Sequence, residues 1–175
     1  MKISNDIRIF IVEDDATQSE ILYDKLLEYN PEYSIVRFKS GNELLDYLKK
    51  GHQNNKHNYL ILDYYLQTTE DKEVLNGFEI IKLLGKEYSK IRIILFSAYE
   101  SDNESNFSEL TKEPNVIEFV RKTEHAYSTM QNILRFDYAQ NNLLKKKRRF
   151  QWALSILLTL LALSTLHFII NYIYF

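Results

Sequence analysis

Apolar residues fall along the chain in two alternating rhythms. Ile7 to Val12, Tyr33 to Phe38, Tyr59 to Leu62, Ile91 to Phe96 and Val116 to Val120 are short runs, dense in β-branched and aromatic residues, and predict five strands. Between them, Ile21, Leu22, Leu26 and Tyr29 recur at helical spacing over Ala16 to Tyr29, which Asn30-Pro31 stops. Leu44, Leu45, Tyr47 and Leu48 mark a second helix after the Ser40-Gly41 turn, and Phe78, Ile80, Ile81 and Leu84 a third over Gly77 to Tyr88. Gly51 to Asn58 reads as a polar loop, Ser105 to Thr111 as a short helix, and a last helix starts near Thr123 or Glu124 and runs on through Leu144. Strands that alternate with helices predict an α/β fold with a parallel sheet covered on both faces. Near-continuous apolar strands such as Ile9-Phe10-Ile11-Val12 agree with that burial.

From Phe150 to Phe175 the rhythm disappears, and no charged residue occurs. Leu154, Ile156, Leu157, Leu158, Leu160, Leu161 and Leu163 surround the axis of a helix instead of forming a stripe. As a helix these residues span roughly 39 Å at about 1.5 Å each, enough to cross a hydrocarbon core of about 30 Å. Trp152 at one end and Tyr172 and Tyr174 at the other suit the two interfaces. Lipid is the expected solvent for this segment; the alternative is a helix buried in an oligomer core. Ser155 and Thr159 have small-xxx-small spacing, a weak signal for a second helix.

Charge sharpens the division. The net charge of -2 over 175 residues hides an acidic body and a basic tail. Lys145, Lys146, Lys147, Arg148 and Arg149 are five of the 22 cations, which leaves 17 against all 24 acids in residues 1–139. The cations abut the apolar segment, and the positive-inside rule then keeps the acidic body in the cytoplasm. An acidic body also argues against a nucleic-acid surface, which needs a basic footprint. The absence of cysteine excludes disulfides, a thiol nucleophile and a thiolate zinc site.

Four of the five strand-like runs lead into polar residues fit for phosphoryl chemistry: Glu13-Asp14-Asp15, Asp63, Ser97 and Arg121-Lys122. In parallel strands these residues share the carboxyl edge, where open α/β sheets bind ligands. Three carboxylates, Glu13, Asp14 and Asp63, repel one another at such an edge unless a cation joins them, and a hard ion such as Mg²⁺ takes oxygen ligands. Asp63 is then the candidate carboxylate nucleophile toward a phosphoryl group. Lys122 and Ser97 are the candidates for holding phosphoryl oxygens.

The segments Ile9-Phe10-Ile11-Val12-Glu13-Asp14-Asp15, Leu60-Ile61-Leu62-Asp63, Asn76-Gly77-Phe78-Glu79, Leu95-Phe96-Ser97-Ala98 and Phe119-Val120-Arg121-Lys122 resemble the receiver domain of bacterial two-component response regulators, over about residues 5 to 139. The resemblance implies a flavodoxin-like, doubly wound, five-stranded parallel sheet of order 2-1-3-4-5. It implies Asp63 as phosphoacceptor; Glu13, Asp14, Asp63 and the backbone carbonyl of Tyr65 as Mg²⁺ ligands; and Ser97 and Phe119 as switch residues. It also implies a histidine kinase or phosphotransfer protein as phosphoryl donor, with a downstream protein as the reader of the signal. The expected organisation is a receiver domain over 1–139, a basic juxtamembrane segment over 140–149 and a single transmembrane helix over 150–175 that contacts membrane lipid. The expected location is the bacterial cytoplasmic membrane, with no output domain, no nucleic-acid partner and no catalytic turnover beyond slow self-dephosphorylation.

The chain departs from the family pattern twice. Thr123 follows Lys122 where the family has a cis proline, and a non-proline cis bond costs about 2.5 to 4 kcal/mol, so the peptide is expected to be either strained or trans with the lysine repositioned. The stretch from Asp63 to Gly77 is long and lacks the usual proline, which reads as a surface insertion beside the site. A phosphorylation-independent pseudo-receiver adaptor is therefore the alternative. A haloacid-dehalogenase-like phosphatase fits poorly, because Tyr65 stands where a second Asp is needed.

Overall fold

The computed structural model describes residues 6–51, 57–66, 75, 77–98 and 112–174. In chain order the elements are β1 (Ile7–Val12), α1 (Ala16–Tyr29), β2 (Ser34–Phe38), α2 (Gly41–Lys49), β3 (His57–Asp63), α3 (Gly77–Glu87), β4 (Arg92–Ser97), β5 (Val116–Arg121) and α4 (Ala126–Tyr174). The five strands form one sheet of order β2-β1-β3-β4-β5, and every pairing is parallel. The architecture is flavodoxin-like, as the sequence implied. The expected helix over Ser105 to Thr111 lies outside the described residues, as does most of the long stretch after Asp63.

Both faces of the sheet are covered. Phe10, Val12, Leu60, Leu62, Ile93 and Leu95 pack with Leu44 and Leu48 of α2 and Ile80, Ile81 and Leu84 of α3 in one buried cluster. The alternate residues Ile9, Ile11, Tyr59, Ile61 and Ile94 point to the opposite face, and each is at most 1% exposed. On that side Phe96 meets Tyr127 of α4 ring to ring, and Gln131 of α4 donates to the Lys25 carbonyl of α1. This two-sided burial is why the strands read as unbroken apolar runs.

Besides shifts of one residue at the ends of β2, β4 and β5, other boundaries differ from the sequence reading. β3 starts at His57, inside the expected polar loop, because His57 and Asn58 pair with Ile7 and Arg8 of the neighbouring strand. Backbone pairing, not side-chain character, makes those two residues a strand. α3 ends at Glu87, one residue early. α4 starts at Ala126, three residues after Thr123, because residues 121–126 form a turn: the Thr123 N–H donates to Arg121 O at 2.8 Å and the Ala126 N–H to Thr123 O at 3.0 Å.

The chain divides into two compact units, Met1–Leu134 and Arg135–Phe175, with α4 contributing to both. Within the second unit every residue from Leu143 to Tyr174 is exposed. Among the described residues, α4 is the one helix long and apolar enough to cross a membrane.

Candidate functional site

The strand ends on the carboxyl side of the sheet gather the polar residues that the sequence singled out. Glu13 follows β1, Asp63 ends β3 and Ser97 ends β4; they are 3%, 7% and 1% exposed. Asp63 pairs in register with Phe96, so Ser97 stands one step beyond Asp63 at the same edge. One carboxylate oxygen from each of Glu13, Asp14 and Asp63 lies within 4.8 Å of the others. An all-oxygen donor set of this kind suits a hard ion such as Mg²⁺, and bonds of about 2.1 Å would draw the three oxygens closer together, since adjacent octahedral ligands stand about 3.0 Å apart.

Lys122 joins two of these carboxylates. Its Nζ donates at 2.7 Å to Glu13 Oε2, at 2.7 Å to Asp63 Oδ2 and at 2.7 Å to Gln18 Oε1. It also stands 5.2 Å over the Phe96 ring. The backbone delivers it there, because the Lys122 N–H donates to Ser97 O at 2.7 Å and ties the end of β5 to the end of β4. No cis peptide bond occurs among the described residues, so the Lys122–Thr123 peptide is trans and Lys122 still reaches Asp63. The Thr123 N–H closes the adjoining turn, a contact that proline could not make.

The electrostatics follow from burial and crowding. Burial pushes the Glu13 carboxyl up to about 7, with the Asp63 charge adding to the rise and Lys122 opposing it. For Lys122, burial alone would lower the ammonium, but its contacts with Asp63 and Glu13 outweigh that and hold it above its usual value. Such a cluster favours bound positive charge.

The three consecutive acids do different work. Asp15 is the N-cap of α1 and accepts from the N–H groups of Thr17 at 2.8 Å and Gln18 at 3.0 Å. The hydrogen bond from the Gln18 amide, then that from Thr17, holds its carboxyl below the ordinary value. Asp15 is thus a helix cap, while Glu13 and Asp14 face the site. Asp63 Oδ1 accepts from the Tyr65 N–H at 3.0 Å, which ties the side chain to the backbone that follows it. Gly77 opens α3 against that same segment: a Cβ there would stand 2.9 Å from Tyr64 O and 3.1 Å from Tyr64 Cα. Phe119 on β5 is half-buried and packs against the core cluster.

Sequence reasoning missed Gln18 and Phe96. An amide on a helix carries little chemical signal, but Gln18 sits in the first turn after the acidic pair, and that turn starts at the site edge.

The family model for the response regulator receiver domain matches residues 9–133. The chain belongs to the response regulator receiver family. Among solved structures, a response regulator receiver domain protein from Clostridium thermocellum superposes with a TM-score of 0.63 at 17% identity, covering 79% of this chain and 98% of its own. TrrA of Thermotoga maritima, in complex with Mg²⁺ and BeF, gives a TM-score of 0.56 at 24% identity, covering 73% of this chain and 96% of its own. The receiver domain of RcsB from Salmonella enterica, with phosphomimetic BeF₃⁻, gives 0.56 at 18% identity, covering 73% and 87%. A comparison with curated protein sequences finds no match. At these identities the likenesses carry the receiver fold, and the family match carries the membership.

Proposed function

We propose that this receiver accepts a phosphoryl group on Asp63 from a histidine kinase or phosphotransfer protein and passes the signal to a downstream protein from the cytoplasmic face of a membrane. The observation that supports it most is the Lys122 ammonium at 2.7 Å from both Glu13 and Asp63, on the edge where Asp14 and Ser97 also stand. Charge of both signs is concentrated at a buried carboxylate, as phosphoryl transfer requires.

Glu13, Asp14, Asp63 and the Tyr65 carbonyl would hold Mg²⁺. When bound, the ion neutralises charge on the phosphoryl oxygens. The chain's own residues do the rest. An Asp63 carboxylate oxygen attacks phosphorus; a P–O bond forms, the P–N bond to the donor histidine breaks, and the imidazole leaves with the electron pair and takes up a proton. Lys122 exchanges its contact with Asp63 for one with a phosphoryl oxygen, and the Ser97 hydroxyl donates to another. Phe119, beside Ser97's strand on β5, is the aromatic whose packing reports that shift to a partner.

The organisation that accompanies this reading is a receiver over 1–139, a basic juxtamembrane segment over 140–149 and a transmembrane helix over 150–175. It is supported by a charge-free helix with no inward face, preceded directly by five cations. The location would be the cytoplasmic membrane of a bacterium, with a single pass.

Incubation with acetyl phosphate and Mg²⁺, read on a phosphate-affinity gel, tests the chemistry. Wild type should be retarded, and Asp63→Asn should run unshifted. If wild type stays unmodified with acetyl phosphate and with kinases alike, the pseudo-receiver adaptor replaces the proposal. Carbonate washing tests the anchor: the chain should remain with the membrane pellet.

A further inference from the structure

The second unit carries a contradiction between its residues and their surroundings. Ahead of the membrane segment, where the medium is water, Phe136 and Leu143 are 72% and 67% exposed. Inside the membrane segment, where the medium would be hydrocarbon, Ser164 and His167 stand on the open surface, and Asn171 follows one turn on, beside Tyr172 at the far interface. Apolar side chains in water and polar side chains in lipid are both unfavourable on a lone helix.

These misplaced residues share one line. Phe136, Leu143, Phe150, Leu157, Ser164 and Asn171 recur every seven residues, and His167 with Leu160 lies on the companion row three positions on. A seven-residue repeat drifts only about 20° per heptad on a straight helix, which a left-handed supercoil removes. One partner helix along this seam would cover Phe136, Leu143, Ser164 and His167 together, whereas Leu144 and Ser155 lie off it. Thr159 and Thr165 differ, since their hydroxyls already donate to the helix's own carbonyls at Ile156 and Ala162.

We propose that the seam is the interface of a parallel dimer of this chain. It rests on the membrane reading of 150–175. Two copies inserted with the same orientation present Phe136 and Leu143 to each other in water, Leu157 to Leu157 in lipid, and polar to polar at Ser164, His167 and Asn171. A second copy supplies this complementarity at every depth, because an isologous interface matches each position with itself. Asn171 Nδ2 lies 3.1 Å from His167 Nε2 within one helix. That contact uses one donor of the amide and one ring nitrogen, so the amide oxygen and the other ring nitrogen can serve hydrogen bonds across the pair. Lys146, also on the companion row, lays its aliphatic stem along the seam and carries its charge to the lipid headgroups. The dimer brings two receivers to one place on the membrane without using the carboxyl edge.

The chain has no cysteine, so single cysteines report cleanly. In membranes holding the full chain, an added oxidant should join two copies of Leu143→Cys, Phe150→Cys or Leu157→Cys at least fivefold faster than Leu144→Cys, Ser155→Cys or Leu166→Cys, which lie off the seam. A maximum at Ser155→Cys and Leu166→Cys overturns the proposal in favour of the small-residue face. Chains that stay in carbonate-washed membranes but never cross-link to themselves overturn the dimer and leave the anchor intact; chains released by carbonate overturn both. A double His167→Leu, Asn171→Leu variant, which strengthens membrane insertion, should weaken association about three- to thirtyfold. Unchanged association would remove the polar part of the seam.

Discussion

Leu60 and Leu157 are the same residue in opposite circumstances: the first is fully buried in β3, and the second is 61% exposed in α4. The sheet hides its apolar residues under helices from the same chain. The tail presents them on every side and has no cover of its own. Similar hydrophobic content thus describes two physical problems. One is solved by packing within the chain, and the other needs a different solvent or a second helix.

Truncating these two leucines should separate the problems most widely. Leu60→Ala should cost about 2 to 5 kcal/mol in denaturant unfolding of the receiver, as a buried cavity does. Leu157→Ala should change the same transition by less than about 0.5 kcal/mol. Equal effects would mean that the tail is folded into the domain core. Gly77→Ala comes next. Its added methyl would press on the backbone of Tyr64 next to Asp63, and overpacking of this kind costs about 1 to 3 kcal/mol, against a helix-propensity gain of at most about 1. Slower acetyl phosphate labelling should accompany the lower stability, and unchanged labelling would show that this contact does not position Asp63. The smallest effect belongs to Asp15→Ala, which removes the α1 cap and should cost about 0.5 to 2 kcal/mol. Its phosphorylation should equal wild type, whereas Asp14→Asn should lose labelling with little loss of stability. That contrast would sort neighbouring acids into cap and site.

Most of the fold was legible because the sheet is parallel and buried on both faces, which leaves Ile9 to Val12 and Ile93 to Phe96 as unbroken apolar words. His57 and Asn58 were hidden, since their place in β3 comes from pairing with Ile7 and Arg8, about 50 residues earlier in the chain. The start of α4 was hidden for a related reason: the Arg121 to Ala126 turn is set by two backbone bonds that no side chain announces. Glu13, Asp14, Asp63 and Lys122 stood out because each follows a strand and carries charge, and the fold then brings them together. Gln18 carries no charge and lies on a helix, so its contact with Lys122 emerged only from coordinates. Thr123 was the departure most at odds with a working site, and a trans peptide closed by its own N–H leaves the lysine in reach.

The close approach of Gly77 to Tyr64 has an engineering consequence. Asp63 is braced from two directions, by the Tyr65 amide on its own side chain and by the opening turn of α3 against the next residue. A fluorophore or epitope tag spliced at positions 70–71 should therefore leave the Asp63 carboxylate where it is, and would turn an odd stretch of polar sequence into a handle for watching this protein in living cells.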